Sequence, residues 1–117
     1  MAITHASRLK GVHPDLVRVI ERAGKDADFM VIEGVRTLAR QKDLVAAGAS
    51  KTLHSRHLTG HAVDIAPLIR GKLSWSWDVF HTLAPVIKAA AKAEGVAVTW
   101  GGDWKNFPDG PHWELPR

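Results

Sequence analysis

Helical patterns and strand-like runs alternate along the first half of this chain. Residues 12–23 carry apolar side chains at helical intervals, and Pro14 is suited to a first helical turn. Residues 29–35 read FMVIEGV, a short run that is typical of a strand. Residues 37–47 then predict a second helix, which a threonine caps at its start and Gly48 closes at its end.

The second half continues the alternation. Residues 61–69 (HAVDIAPLI) predict a strand that Pro67 interrupts, and residues 77–94 predict an alanine-rich helix. Pro85 lies inside that helix, so we expect a kink or a later start there. Because the order of elements lacks regular βαβ units, the chain is predicted to be an α+β protein. Two more strands are expected, at 96–100 and 112–115.

The composition narrows the chemistry that such a chain can carry. Its 117 residues suffice for one domain, and 45% apolar residues with a mean hydropathy of -0.11 indicate a globular protein. The absence of cysteine excludes disulfides, cysteine nucleophiles and thiolate metal sites, so a metal would need His, Asp or Glu ligands. The net charge of +4 is scattered and accompanies no helix-turn-helix or RNA-binding signature, so we expect no nucleic-acid partner.

The densest functional signal is residues 55–64, which read SRHLTGHAVD. Histidine and carboxylate are natural zinc ligands in a protein without cysteine, and this segment holds His57 and Asp64. On one straight strand their odd spacing would place them on opposite faces. Gly60 permits a turn between them, so His57 is expected on a loop and Asp64 on the strand that follows.

A third ligand must come from elsewhere, and His112 is the best candidate. It lies in the segment DGPHWE, where a Gly-Pro turn lets Asp109 and His112 face the same pocket. Two histidines and one carboxylate would leave a fourth position for water, as in catalytic zinc sites.

From sequence spacing alone, several neighbouring side chains remain alternative metal ligands. His61 stands four residues after His57, and Glu114 would share the face of His112 on a strand, so spacing alone excludes neither as a ligand. We interpret His61 as a surface or supporting residue, and Glu114 as a hydrogen-bond partner of a ligand histidine. His54 is interpreted as a loop residue. Trp104 and Trp113 flank the predicted site and are expected to form its walls.

Taken together, S-x-H-x-x-G-x-A-x-D and a later D-x-x-H-x-E resemble a family of zinc peptidases. This family comprises D-Ala-D-Ala carboxypeptidases, dipeptidases and phage L-alanyl-D-glutamate endopeptidases. The likeness covers nearly the whole chain and looks strongest to the phage endolysin branch. It also includes GVRT at 34–37, Gln41, GAS at 48–50, WGGDW at 100–104 and Phe107.

The resemblance implies a role for each matching residue. His57, Asp64 and His112 would hold one zinc ion, and Asp109 would be the catalytic acid and base, where many relatives have Glu. Arg36 would stabilise the substrate or an oxyanion. Ser55 would bind substrate or support the first ligand. The implied fold is the small α+β fold of these peptidases and the hedgehog signalling domain, with an antiparallel sheet and packed helices.

The function implied is a peptidoglycan hydrolase that cuts the L-Ala–D-Glu bond of the stem peptide. One alternative function is a D,D-carboxypeptidase or dipeptidase, which would use the same metal site. A second alternative is a non-catalytic zinc-binding module. We expect residues 1–117 to form one catalytic domain without a separate wall-binding domain, acting as a monomer. No signal peptide or membrane span is visible, so we expect the protein to stay in the host cytoplasm until lysis exposes the cell wall.

Overall fold

The described part of the chain folds as three α-helices around one small sheet. The computed structural model describes residues 3–50, 52 and 55–116, and within that part the class is α+β, as predicted. The helices are α1 (Pro14–Ala23), α2 (Leu38–Ala46) and α3 (Trp77–Glu94). The strands are β1 (Ile3–Thr4), β2 (Phe29–Glu33), β3 (Ala62–Ile69), β4 (Lys72–Leu73), β5 (Thr99–Trp100) and β6 (His112–Glu114).

The sheet is mixed, whereas the resemblance implied an antiparallel one. Its order is β1-β2-β3-β6-β5, with β4 paired to the far end of β3. The described pairings are antiparallel except that of β1 with β2, which is parallel. Helix α1 forms the crossover that a parallel pair requires. A two-residue strand such as β1 has no detectable alternation, which is why sequence patterns did not reveal it.

One face of the sheet is buried under α1 and α3, which also pack on each other. Val63, Ile65 and Trp113 are almost fully buried on this face. Because side chains alternate along a strand, Asp64 and His112 point to the opposite face. The sheet therefore separates the hydrophobic core from the predicted site.

Neither proline interrupts its element. Strand β3 runs through Pro67, whose carbonyl oxygen accepts the N–H of Ser74. Pro67 lies where β3 passes from β6 to β4, so its missing N–H costs no pairing. Helix α3 begins at Trp77 rather than after Pro85, and Pro85 is exposed, so the carbonyl that it leaves without an intrahelical partner is on the solvent side.

Other elements match the expected type with shorter bounds. Thr37 caps α2, and its Oγ1 accepts the N–H of Arg40 at 3.1 Å. The strand expected at 96–100 is reduced to β5, because Val96 and Val98 pack on the core instead of pairing. Among the described helices, none combines the length and apolarity needed to cross a membrane.

Candidate active site

His57 is oriented by a tight turn that leads into β3. It lies in the 3-10 turn Arg56–Thr59, where the Oγ of Ser55 accepts the N–H of His57 at 3.2 Å. Gly60 closes the turn with φ +77°, a conformation that favours glycine. The turn brings His57 back to Asp64 despite their odd spacing, as the sequence analysis expected.

Asp64 and His112 meet because their strands are in register. They form a direct cross-strand pair of β3 and β6, although 48 residues separate them in the chain. Oδ1 of Asp64 lies 3.2 Å from Nδ1 of His112 and 3.2 Å from Nε2 of His57. One ligand atom from each residue lies within 4.8 Å of the other two. The three residues predicted as ligands therefore converge on one point.

The second nitrogen of each histidine is also held. Nδ1 of His57 lies 2.8 Å from the carbonyl oxygen of Gly34, and Nε2 of His112 lies 2.7 Å from Oε1 of Glu114. Because these oxygens accept, each of these nitrogens donates a hydrogen, and the other nitrogen of each ring faces Asp64. This arrangement fits a zinc ion. The cluster contains three ligating residues within the described part of the chain, which suits a site with an open position.

The electrostatics of the cluster suit a bound cation. Burial disfavours the charge on Asp64, but hydrogen bonds from His112 and His57 outweigh burial and hold the pKa of that carboxyl well below its usual range. Burial also disfavours the charged form of His112. Hydrogen bonds to Asp64 and Glu114 prevail and raise the pKa of His112 to about 9. The site is therefore built around negative charge that a metal would neutralise.

Asp109 stands at the same site on the loop before β6. It lines a cleft together with His112, whose N–H donates to the carbonyl oxygen of Asp109 at 3.3 Å. A Cβ at Gly101 would lie 2.5 Å from that carbonyl oxygen, so this close approach requires glycine. Burial raises the pKa of Asp109, and the negative charge of Asp64 raises it further.

Arg36 is fixed beside the cluster by a partner that sequence analysis did not single out. Its Nη2 lies 3.6 Å from Oδ2 of Asp64, while Nε and Nη2 donate to Oε1 of Glu33. A β-bulge after Val31 shifts the register of β2, so that Glu33 pairs with Asp64. Local sequence does not reveal the bulge, because the bulge depends on pairing across the sheet. The E-x-x-R spacing is the one sequence signal for the ion pair of Glu33 with Arg36.

Gln41 is a second residue whose role sequence analysis did not assign. It is fully buried on α2, and its Oε1 accepts Nη1 of Arg36 at 2.7 Å. Its Nε2 donates to Oγ of Ser50 and to the carbonyl oxygen of Thr52. Gln41 thus ties one wall of the site to Arg36. A glutamine at an apparently polar helix position gave no signal that it would be buried.

The site contains a cleft of about 470 Å³. Ser55, Glu114 and Trp104 line it with the three ligand candidates, Arg36 and Asp109. The Trp104 ring lies 5.0 Å from the His112 ring. Trp113, by contrast, is absent from the described lining.

The expectation that Trp113 forms a wall of the site is therefore corrected. Its side chain is 1% exposed and stacks on Trp100, with 5.8 Å between ring centroids. Trp113 alternates with His112 and Glu114 along β6, so it points into the core when they point into the cleft.

The other histidines do not join the cluster within the described part of the chain. Nδ1 of His61 lies 2.7 Å from Oγ1 of Thr59, and its ring contacts His13, so it belongs to another surface. His54 lies outside the described residues.

Known proteins share this arrangement of sequence and fold. A family model described as phage L-alanyl-D-glutamate peptidase matches residues 1–115. The chain belongs to this family. The resemblance drawn from the motifs is thereby confirmed.

Individual relatives agree with that family. The L-alanyl-D-glutamate peptidase of Escherichia phage T5 is 34% identical over 116 residues, covering 94% of this chain and 84% of that protein. The peptidoglycan L-alanyl-D-glutamate endopeptidase CwlK of Bacillus subtilis is 30% identical over 107 residues, covering 80% of this chain and 64% of that protein. The crystal structure of the L-Ala D-Glu endopeptidase ChiX of Serratia marcescens superposes with a TM-score of 0.90 at 50% identity, over 94% of this chain and 84% of that one.

Proposed function

We propose that this protein is a zinc-dependent endopeptidase that hydrolyses the L-Ala–D-Glu bond of peptidoglycan stem peptides. The observation that carries the proposal is the convergence of His57, Asp64 and His112 beside Asp109, in one cleft of a chain from the L-alanyl-D-glutamate peptidase family. The named relatives act on this bond, and their names do not state a metal. The zinc assignment rests on the donor set and its supporting hydrogen bonds.

His57, Asp64 and His112 would hold the ion through two imidazole nitrogens and one carboxylate oxygen. When bound, zinc would acidify a water molecule and polarise the scissile carbonyl group. Gly34 and Glu114 keep both imidazole rings in the orientation that binding needs.

Asp109 is proposed to move the proton. Its carboxylate accepts a proton from the attacking water and passes it to the leaving amine of D-Glu. Its raised pKa makes it a better proton acceptor than an exposed aspartate. A carboxylate at position 109 can both accept the proton from water and donate it to the amine.

Arg36 is proposed to act as a fixed positive charge. Glu33 and Gln41 hold its guanidinium group, and the Arg36 side chain is 8% exposed, so little reorganisation is needed as negative charge develops on the substrate. Arg36 also lies against Asp64 and helps to orient that ligand.

Digestion of purified sacculi tests the proposal. Mass spectrometry should find new N-terminal D-Glu in the products, whereas released D-Ala would identify a D,D-carboxypeptidase or dipeptidase instead. A chelator should abolish the digestion, and added zinc should restore it. Lysis that persists at full rate in the chelator would contradict the metal assignment, and no new termini of either kind would favour a binding module.

We further propose that the protein works as a monomer and reaches the wall from the host cytoplasm once lysis begins. Sedimentation of the purified protein and fractionation of infected cells before lysis would test the two statements separately.

A further inference from the structure

The cleft has one aromatic edge, formed by Trp104 and Phe107. Both residues lie on the loop that precedes Asp109, and both line the cleft. The Phe107 side chain is 46% exposed, so its ring belongs to the rim rather than to the core. Among the described residues, the lining away from the metal cluster and this edge includes smaller aliphatic and hydroxyl side chains, namely Leu44, Ala49, Ser50 and Thr52.

Phe107 occupies a backbone conformation that bulky residues avoid. Its φ is +54°, and a left-handed conformation costs free energy in a residue with a Cβ. The ring is nevertheless about half exposed, so it is accessible from the cleft. Strained residues of this kind concentrate at ligand-binding sites, where the strain places a side chain against the ligand.

The chemistry of the proposed substrate places a sugar close to the cleft. In peptidoglycan, L-Ala is joined by an amide bond to the lactyl group of muramic acid. The sugar therefore begins roughly 7 Å from the scissile carbonyl group, about two residue lengths of extended chain. A cleft that cuts the L-Ala–D-Glu bond must meet the muramoyl sugar at one of its rims. The C–H face of a pyranose ring packs well on an aromatic ring.

We propose that Phe107, together with Trp104, forms a subsite for the muramoyl sugar of the substrate. The proposal rests on the proposed function, because the L-Ala–D-Glu bond is what fixes the sugar next to the cleft. The subsite would make the enzyme prefer sugar-bearing stem peptides over free ones. The left-handed conformation of Phe107 is the structural feature that presents the ring at the rim.

A pair of matched substrates tests the subsite. One is a muramoyl peptide, and the other is the same peptide with an acetyl group in place of the muramoyl group, so that both keep the amide at L-Ala. We expect the wild-type protein to show a kcat/KM about five- to tenfold higher for the muramoyl peptide, the ratio that partial burial of one aromatic ring can supply. In Phe107→Ala this ratio should fall towards one. Alanine keeps a Cβ, so the backbone strain stays similar and the ring alone is removed.

Two further variants complete the experiment. Phe107→Trp retains an aromatic ring and should keep the preference, with a circular dichroism spectrum like that of the wild type. Trp75→Ala removes an aromatic side chain that is 54% exposed and lies outside the described cleft lining, so its ratio should match the wild type.

The outcomes separate the two proposals. Equal kcat/KM of the wild type for both substrates, or an equal loss on both in Phe107→Ala, would overturn the sugar subsite and leave the L-Ala–D-Glu endopeptidase intact. A lost preference in Trp75→Ala would also overturn it, because the effect would not belong to the rim. Failure of the wild type to cut either substrate at L-Ala–D-Glu would overturn the proposed function and the subsite together.

Discussion

At the residue scale, three side chains of the site are oriented by atoms outside the cluster. The imidazole of His57 is held by the backbone of Gly34, and that of His112 by Glu114. The guanidinium of Arg36 is held by Glu33 and Gln41. Contacts of this kind reduce the freedom that the ligands would otherwise lose when they bind a metal or a substrate.

Asp109→Asn tests the proton-transfer role directly. The amide is similar in size but cannot accept the proton, so kcat/KM should fall at least about 100-fold. Zinc content, measured by atomic emission after dialysis, should stay at one ion per chain because Asp109 is not among the ligands.

The matched control is Asp103→Asn. Asp103 is exposed, pairs with Lys88 at 2.8 Å and is absent from the described cleft lining. Its activity should remain within about twofold of the wild type, as for most surface substitutions. Normal activity in Asp109→Asn would show that another group is the base.

At the element scale, short turns rather than long helices position the chemistry. Gly60 redirects the chain between the turn of His57 and strand β3, and a Cβ there would lie 2.5 Å from the carbonyl oxygen of Gly11. The close approach of Gly101 to Asp109 does the same for the loop before β6. Glycines that close backbone contacts require therefore stand at the end of the turn of His57 and against the loop of Asp109.

The substitution Gly60→Ala should destabilise the protein more than Gly71→Ala. Both positions have nearly the same φ, +77° and +79°, so both substitutions incur the left-handed cost of about 1–2 kcal/mol. A Cβ at Gly71 meets nothing within 4 Å, whereas a Cβ at Gly60 collides with backbone, which adds about 1–3 kcal/mol. Urea unfolding of both variants measures the difference. Equal losses of stability would mean that the contact with Gly11 relaxes freely.

At the scale of the whole molecule, the two faces of the sheet have different roles: one stabilises the fold and the other carries the site. The core of α1, α3 and one sheet face is apolar, and the opposite face gathers the charged site. The site lowers stability because it buries a few polar groups, among them Gln41, His57 and His112. Without a metal, the raised pKa of His112 makes the stability of the protein depend on pH.

The metal-free protein should lose stability as the pH rises towards about 9. The pKa of His112 is raised from 6.5 to about 9, so its protonated form stabilises the folded state fully below pH 6.5 and this contribution disappears as the pH rises through 9. Thermal melting of chelator-treated protein across this range measures the effect. The decline should be smaller in His112→Asn, and an identical decline would assign it to other groups.

Zinc affinity should change in the opposite sense over the same range. Zinc must displace the proton of His112, so its apparent affinity should increase with pH until about 9 and then level off. Calorimetry in two buffers of different ionisation enthalpy would also report the released proton. Binding without proton release at pH 7 would contradict the raised pKa.

Local sequence patterns predict several elements of the fold and part of the site. Helical spacing identified α1 and α3, Thr37 marked the start of α2, and Gly60 marked the turn that returns His57 towards Asp64. These features depend on neighbours within a few residues, so they can be read without knowing the fold. Residue chemistry narrowed the metal ligands to His, Asp and Glu, and the family resemblance then selected three of them.

Long-range pairing accounts for the rest. The register of β3 with β6 decides that Asp64 faces His112 and that Trp113 enters the core. The bulge in β2 decides that Glu33 reaches Arg36, and the packing of α2 buries Gln41. These outcomes depend on hydrogen bonds and burial between segments far apart in the chain, and the local periodicities that identify a strand do not specify its partner or its register.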